Sequence, residues 1–198
     1  PTGNTIPEQI LTEILQFCAS KKIRVVADEC FLRFHPHYEK MSCKRFLKQY
    51  PNLLIVNAFT KFYAMAGLRL GYLMTGDLSL LHAVAQQLPE WNVSSIAQRA
   101  GISALQDTEY EKRTRQLIEK ERRYLIQEFL KMGCTVFPSE ADYITFRLPQ
   151  EKTGFLLKER LLEGKILIRS CANYRNMPPD CYRIAVKQHA DNEELVRQ

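Results

Sequence analysis

The fold class is decided by one stretch of the sequence, Leu53-Leu54-Ile55-Val56-Asn57-Ala58-Phe59. This stretch is mainly apolar, contains large aliphatic side chains and does not alternate with polar residues. Two similar runs, Ile23 to Ala27 and Leu70 to Thr75, lie before and after it. Continuous runs of this kind are typical of strands buried on both faces, as in a parallel sheet covered by helices. The sequence therefore predicts an α/β fold.

Helical patterns flank these runs. Apolar residues recur on one face of residues 7–20, after a possible capping box at Thr5-Ile6-Pro7-Glu8. A second capping box, Thr108-Glu109-Tyr110-Glu111, opens a long charged helix that is expected to end at Gly133. Asp77 and Ser94 are plausible N-caps of two helices in between. The predicted helices cover residues 7–20, 77–88, 94–105 and 108–133.

The pattern changes after Gly133. Four short strands are predicted around one helix, and this arrangement indicates a smaller α+β domain. The strands cover residues 134–137, 143–148, 166–169 and 182–187, and the helix covers residues 151–163. We therefore expect two domains, the carboxyl-terminal part of a larger α/β domain at 1–107 and a linking helix with the small domain at 108–198.

The composition restricts the class of protein. The 198 residues are 45% hydrophobic and 25% charged, which excludes collagen-like and intrinsically disordered chains. No uncharged apolar run approaches the roughly 18–20 residues that a membrane-spanning helix requires. The net charge of +6 is spread along the chain, and the long helix mixes seven basic with five acidic residues. We expect neither a nucleic-acid nor a membrane partner, but a small anionic substrate.

The ends and the cysteines add two expectations. The chain starts at Pro1 without an initiator Met and ends inside a predicted helix, so we interpret it as a fragment of a longer protein. The six cysteines show no C-x-x-C pair or zinc-like spacing, which favours reduced thiols in a cytoplasmic protein. His35 and His37 have no further ligands nearby in the sequence, and no metal site is predicted.

Five charged residues could carry chemistry. Asp28 follows the first predicted strand, at the sheet edge where ligands bind in open α/β folds, although it could simply cap a loop. Lys61 lies between aromatic residues after the second strand, and a desolvated amine there could form a Schiff base; a surface lysine is the alternative. Arg69 lies between glycines and suits a phosphate or carboxylate ligand; a structural salt bridge is the alternative. Arg169 and Arg183, beside strands of the small domain, could together bind a dianionic substrate or form ordinary surface charges.

Taken together, these segments resemble a known family. The sequence is similar to fold-type-I pyridoxal-phosphate enzymes of the class I/II aminotransferase superfamily over essentially all 198 residues. Within it, the strongest resemblance is to the threonine-phosphate decarboxylase branch, then to the histidinol-phosphate aminotransferases. The motifs are Pro1-Thr2-Gly3, Asp28-Glu29, Phe59-Thr60-Lys61, Gly67-Leu68-Arg69-Leu70-Gly71-Tyr72, Ile166-Leu167-Ile168-Arg169-Ser170-Cys171-Ala172-Asn173-Tyr174 and Tyr182-Arg183-Ile184-Ala185-Val186.

The resemblance implies a role for each candidate residue. Lys61 matches the lysine that bonds to pyridoxal 5'-phosphate and moves protons, and Asp28 matches the carboxylate on the pyridine nitrogen. Thr60 and Arg69 match residues that hold the cofactor phosphate. In the small domain, Arg183 matches the arginine that binds a substrate carboxylate, and Arg169 a contact for the substrate phosphate. It also implies a homodimer.

Three positions depart from the family pattern. Ala58 stands where a hydroxyl is common, so one phosphate contact is missing. Phe31 stands at the cofactor position where many aminotransferases have a Tyr on the ring oxygen, which mildly favours decarboxylation. Asp142 puts a carboxylate near the substrate end, where it would repel an anion unless paired with an arginine.

Three hypotheses follow. The first is decarboxylation of a phosphorylated amino acid, as in threonine-phosphate decarboxylases of cobalamin biosynthesis. The second keeps the cofactor and changes the reaction to transamination of the histidinol-phosphate type. The third is a non-catalytic relative that binds anions through its basic residues.

Overall fold

The computed structural model describes residues 2–152, 156–178 and 180–198, and within them two compact units are distinguished. The first unit is Thr5–Glu111, and the second is Pro1–Asn4 with Lys112–Gln198. The division falls inside one long helix, four residues after the expected boundary at 107/108.

The first unit contains three strands and four complete helices. A small core forms where α1 covers one face of the sheet, with Leu15, Leu53 and Ile55 fully buried. The elements are α1 (Glu8–Ser20), β1 (Val25–Asp28), α2 (Tyr38–Met41), β2 (Leu53–Ala58), β3 (Gly71–Thr75), α3 (Leu78–Gln87) and α4 (Ser95–Gln106), with short 3-10 turns at Leu32–Phe34, Cys43–Phe46 and Ala66–Leu68.

The sheet of the first unit is mixed rather than wholly parallel. Its order is β1-β2-β3; β1 and β2 are parallel, whereas β2 and β3 are antiparallel, with Ala58 opposite Gly71. A parallel pair needs a long crossover, usually a helix. The connection across residues 59–70 contains only the 3-10 turn Ala66–Leu68, so the chain returns antiparallel.

Burial on both faces was expected for each strand, and β1 does not show it. Val25 and Ala27 face the core under α1, while Val26 is 61% exposed on the opposite face. Asp28 shares that exposed face, as the alternation of a strand requires. The outward face therefore presents the predicted carboxylate.

The helix α5 (Thr108–Lys131) starts and ends through identifiable contacts. Its start is capped by Asp107, whose Oδ1 accepts from the Tyr110 amide at 2.8 Å, rather than by the capping box predicted at Thr108. Its predicted end at Gly133 is confirmed, and the φ angle of Gly133 is +80°. The amide of Gly133 donates to the Leu130 carbonyl, and the amide of Cys134 donates to the Phe129 carbonyl. This pattern is a Schellman ending, which glycine favours. Helix α1 begins at Glu8, and the residue at its N-cap position is Pro7 rather than Thr5.

The second unit is a small antiparallel sheet in the order β4 (Thr135–Phe137), β5 (Tyr143–Arg147), β7 (Cys181–Ala185) and β6 (Arg169–Ser170), packed against helix α5. Phe146 of β5 contacts Phe129 of α5, with ring centroids 4.3 Å apart. In place of the single helix predicted at 151–163, the structure has a 3-10 turn at Gln150–Lys152 and a helix that begins at Leu157. Positions 153–155 lie outside the described residues. The remaining elements are α6 (Leu157–Glu163) and α7 (His189–Arg197).

Candidate active site

Three segments of the first unit meet at one edge of its sheet. Asp28 ends β1, and the segment carrying Thr60 and Lys61 follows β2, which is parallel to β1. Because β3 is antiparallel to both, the residues that precede it, including Arg69, reach the same edge. The structure therefore places Asp28, Thr60 and Lys61 at the carboxyl ends of two parallel strands, where open α/β sheets bind ligands, and it places Arg69 at the same edge, before the antiparallel strand β3.

The Asp28 carboxylate is fixed by the turn that follows it. Its Oδ1 accepts from the Cys30 amide at 3.0 Å. The pKa of the Cys30 thiol is raised to about 11, first by burial and then by a hydrogen bond to Asp28 and the charge of that carboxylate. The positive charge of Lys61 acts in the opposite direction on the same thiol. Cys30 thus lies within electrostatic reach of both proposed catalytic groups.

The Lys61 amine lies over an aromatic ring of the neighbouring segment. Its Nζ is 5.4 Å from the ring centroid of Phe31, a distance typical of a cation–π contact. Phe31 belongs to the turn after Asp28, so this contact links the amine-bearing and carboxylate-bearing segments. The side chain of Lys61 is exposed to solvent, so the desolvated amine considered from the sequence is not observed, and an incoming molecule can reach the amine.

Arg69 adopts an unusual backbone conformation. Its φ is +52°, in the left-handed region that side chains with a Cβ disfavour. The flanking Gly67 and Gly71 do not have positive φ; Gly71 is required for another reason, since a Cβ there would lie 2.9 Å from the Asn57 carbonyl oxygen. Strain of this kind clusters at ligand sites. The guanidinium is exposed and donates from Nη1 to the Ala66 carbonyl at 3.2 Å.

The two arginines of the second unit are brought together. Arg169 of β6 and Arg183 of β7 are direct partners across the antiparallel pair. Opposite residues point to the same face of a sheet, and like charges in this position are unfavourable unless something neutralises them. The arrangement is therefore suited to an anionic ligand.

Each arginine is oriented by an aromatic ring. Arg183 lies 4.6 Å from the Tyr143 ring centroid, and Arg169 lies 5.7 Å from that of Tyr174. Arg169 also donates from Nη2 to Asn173 Oδ1 at 3.2 Å. Burial raises the pKa of Tyr143; among charges, Arg183 opposes this effect and Asp142 adds to it. Asp142 therefore lies within electrostatic reach of the Tyr143 hydroxyl. Arg169 also lines an open cleft in the same unit with Lys158, Leu167, Ile168, Ser170, Ala172 and Asn173.

A partly buried polar cluster beside the sheet edge was not predicted from the sequence. Arg33 forms an ion pair with Glu111, and the two side chains are 15% and 14% exposed. Tyr63 donates from its hydroxyl to the same Glu111 oxygen at 2.5 Å. The available signal was the position of charged Arg33 between Leu32 and Phe34, which places a guanidinium in an apolar segment.

Other kinds of site find no support. All six cysteines are free thiols. Within residues 2–152, 156–178 and 180–198, no group of three or more His, Cys, Asp or Glu side chains could hold a metal ion. In the described part of the chain, none of the helices has the length and apolar character needed to cross a membrane.

Comparison with known sequences gives consistent results. The profile described as "Aminotransferase class I and II" matches residues 1–198. A threonine-phosphate decarboxylase of Salmonella typhimurium is 36% identical over 197 residues, covering 99% of this chain and 53% of that protein. A histidinol-phosphate aminotransferase of Oleidesulfovibrio alaskensis is 31% identical over 200 residues, covering 100% of this chain and 51% of that protein. The chain thus spans about half the length of the curated relatives it matches.

Comparison with solved structures supports the same fold. The histidinol-phosphate aminotransferase of Clostridium acetobutylicum superposes with a TM-score of 0.92 at 31% sequence identity. The match covers 100% of this chain and 59% of that one.

Proposed function

Because the chain belongs to the class I and II aminotransferase family, we propose that it is part of a pyridoxal-phosphate-dependent enzyme that decarboxylates a phosphorylated amino acid. The observation that carries the substrate class is the direct pairing of Arg169 with Arg183 across β6 and β7. Two guanidinium groups on one sheet face suit a substrate with two anionic groups. Threonine O-phosphate has a carboxylate and a phosphate.

The groups at the sheet edge of the first unit fit the cofactor. An aldehyde needs an amine, and Lys61 presents one; a protonated pyridine nitrogen needs a carboxylate, and Asp28 presents one. Thr60 and Arg69 offer a hydroxyl and a guanidinium for the phosphate. When bound, the cofactor supplies an electron-withdrawing ring that stabilises negative charge at the substrate Cα.

Lys61 and Asp28 have distinct tasks in this proposal. With the cofactor bound, the Asp28 carboxylate would keep a proton on its ring nitrogen. The Lys61 amine would hold the cofactor aldehyde and would move the proton at the substrate carbon that loses carbon dioxide. The short turn that binds the Asp28 carboxylate to the Cys30 amide keeps its orientation fixed before the substrate arrives.

The arginines of the second unit bind the substrate. Arg183 takes the carboxylate and Arg169 takes the phosphate. The contact of Arg169 with Asn173 and Tyr174 holds its guanidinium in place in the absence of substrate. Pre-orientation of this kind lowers the entropy lost on binding.

Two observations favour decarboxylation over transamination. The identity to the Salmonella decarboxylase is 36%, against 31% for the Oleidesulfovibrio aminotransferase. Phe31, which contacts the Lys61 amine, has no hydroxyl to offer the cofactor ring oxygen. Transamination of histidinol phosphate is the second candidate, supported by the TM-score of 0.92 to an aminotransferase of that type.

The proposal includes a homodimer in the cytoplasm. Six free thiols suit a reducing compartment, and the family resemblance supports the dimer.

Product analysis with the full-length protein tests the function. Threonine O-phosphate should yield carbon dioxide and an amino-alcohol phosphate. An oxo acid formed with an aminated acceptor would instead establish transamination. Lys61→Ala should remove both the activity and the near-visible absorbance of bound pyridoxal phosphate. If this variant keeps either, Lys61 does not have the proposed role.

A further inference from the structure

The ion pair between Arg33 and Glu111 joins two parts of the first unit that are far apart in the sequence. Arg33 lies in the 3-10 turn Leu32–Phe34, which follows the turn after Asp28. Glu111 lies in the first turn of α5. Burial alone would lower the pKa of Arg33, but the electrostatic influence of Tyr63, Glu111 and other nearby tyrosines outweighs burial and raises it. The guanidinium therefore stays charged inside the cluster.

Tyr63 connects the lysine-bearing segment to the same carboxylate. Its hydroxyl donates to Glu111 Oε1 at 2.5 Å, and its ring lies 5.3 Å from the Arg33 guanidinium carbon. Burial and this hydrogen bond raise the pKa of Tyr63, so the hydroxyl keeps its proton and remains a donor. Tyr63 is only two residues after Lys61.

Further contacts hold the same two segments. The hydroxyl of Tyr110, one residue before Glu111, donates to the Phe62 carbonyl at 2.9 Å. The rings of Phe34 and Phe62 pack edge to face with centroids 5.1 Å apart. The backbone directly after Lys61 is therefore attached both to α5 and to the segment that follows Asp28.

We propose that Glu111 is a positioning residue: by holding Arg33 and Tyr63 together, it fixes the segments that carry Asp28 and Lys61 relative to each other. This inference rests on the proposed function, because only there must an amine and a carboxylate act on one molecule. Displacement of a reacting group by about 1 Å can reduce the rate about 100-fold. Glu111 itself touches no reacting atom.

A purely structural role is the competing explanation. Removing one partner of a buried ion pair destabilises a protein whatever else the pair does. The test must therefore measure quantities that a loss of stability alone would not change once the protein is folded.

Glu111→Gln in the full-length protein is the first variant. It keeps an oxygen that can accept from Tyr63 but removes the charge that faces Arg33. We expect kcat per folded molecule to fall about 10- to 100-fold, with KM changed less than about threefold. Without substrate, covalent capture of pyridoxal phosphate on Lys61 by borohydride reduction should slow to a similar extent. Glu109→Gln, an exposed position on the same helix turn, should leave both rates unchanged.

Tyr63→Phe provides an independent variant, because it removes only the hydroxyl and keeps the ring that stacks on Phe59. Its effects should have the same direction as those of Glu111→Gln. The double variant should be slowed by less than the product of the two single effects, since Glu111 and Tyr63 belong to one network of contacts. If Glu111→Gln does not fold, Tyr63→Phe alone decides the outcome.

The results separate this inference from the proposed function. Unchanged kcat and unchanged capture in the folded variants overturn the positioning role of Glu111. If Lys61→Ala still captures pyridoxal phosphate at the same rate, the proposed function fails instead. Loss of capture in Lys61→Ala with normal behaviour of both Glu111→Gln and Tyr63→Phe leaves the function standing and removes only the positioning role.

Discussion

Arg169 and Arg183 occupy directly opposed positions on neighbouring antiparallel strands, so two positive side chains share one face of the small sheet. Fourteen positions separate them in the sequence. β6 is only two residues long and Arg169 is its first residue, so the strand hardly extends beyond what this pairing requires.

Arg169→Gln should separate binding from stability. Removal of one of two opposed like charges should raise the free energy of unfolding by up to about 1 kcal/mol. Loss of a charge-assisted hydrogen bond should raise the KM for threonine O-phosphate about 10- to 100-fold. Urea unfolding and steady-state kinetics of the full-length enzyme measure the two effects. Arg175→Gln, an exposed neighbour, is the control; equal effects of both changes would contradict the prediction.

The pKa of the Cys30 thiol should report the arrangement of Asp28 and Lys61. Asp28→Asn should lower this pKa from about 11, but not to the ordinary 9.0, because burial of the thiol remains. Lys61→Ala should raise it, because the positive charge that lowers it is lost. The measurement is the alkylation rate of Cys30 as a function of pH in cofactor-free protein.

Cys43 serves as an internal control in the same samples. Burial and the charge of Glu29 raise the pKa of its thiol to about 12, and neither Asp28 nor Lys61 contributes to that shift. Its titration should be the same in both variants. If Asp28→Asn and Lys61→Ala both shifted the pKa of Cys30 in the same direction, the two charges would not act on the thiol as described.

Gly76→Ala should destabilise the first unit. An added Cβ would lie 2.4 Å from the Leu47 carbonyl oxygen, and backbone at this distance has to move. We expect the free energy of unfolding to fall by about 1–3 kcal/mol. Gly67→Ala is the matched control, because no atom lies within 4 Å of the added Cβ, and its effect should stay within about 0.5 kcal/mol. Equal stability of the two variants in urea unfolding would show that the backbone at Leu47 can move away at little cost in free energy.

Glu121 should make stability depend on acid pH. Its side chain is buried in the second unit, where Asn192 Nδ2 donates to Oε2 at 3.0 Å and His189 Nδ1 lies 3.0 Å from the same oxygen. Burial would raise the pKa of Glu121, but these hydrogen bonds and the charge of His189 outweigh it and lower the pKa below the ordinary 4.5. The stabilisation is therefore present above the unfolded-state value and is lost as the pH falls through the folded-state value.

Glu121→Gln should flatten this acid dependence. Unfolding free energies measured from pH 6 to pH 3, a range chosen to span the ordinary carboxyl pKa of about 4.3, should fall less steeply in the variant. The control is Glu119→Gln, two residues before Glu121. It removes a surface ion pair with Arg123 and should keep the original slope. A slope that is unaffected by Glu121→Gln would assign the acid sensitivity to other carboxylates.

Much of the fold follows from local pattern. The apolar run 53–59 contains β2 (Leu53–Ala58), and the glycine expected to end α5 does so through two backbone hydrogen bonds. The direction of β3 was not predicted, because a run of apolar residues is the same in a parallel or an antiparallel strand. That direction depends on the connection between β2 and β3. The absence of a helix from this connection is harder to recognise in the sequence than an apolar run.

The candidate site was likewise predicted only in part. Asp28 and Lys61 stand out because each is a charged residue at the end of an apolar run, and the structure places both at one sheet edge. The pairing of Arg33 with Glu111 could not be predicted, since the two residues are 78 positions apart and either charge alone fits a solvated surface. Only the fold brings them together, partly buried, beside Tyr63.

The antiparallel direction of β3 has a consequence for protein engineering. Residues 59–70 leave the sheet after Ala58 and return at Gly71, and these two residues are direct partners in the ladder. The whole excursion could be transplanted between homologous proteins as a cassette, with both junctions held by existing strand pairing. Such a graft would exchange the amine-bearing and guanidinium-bearing positions together, and the register of the sheet beneath would be preserved.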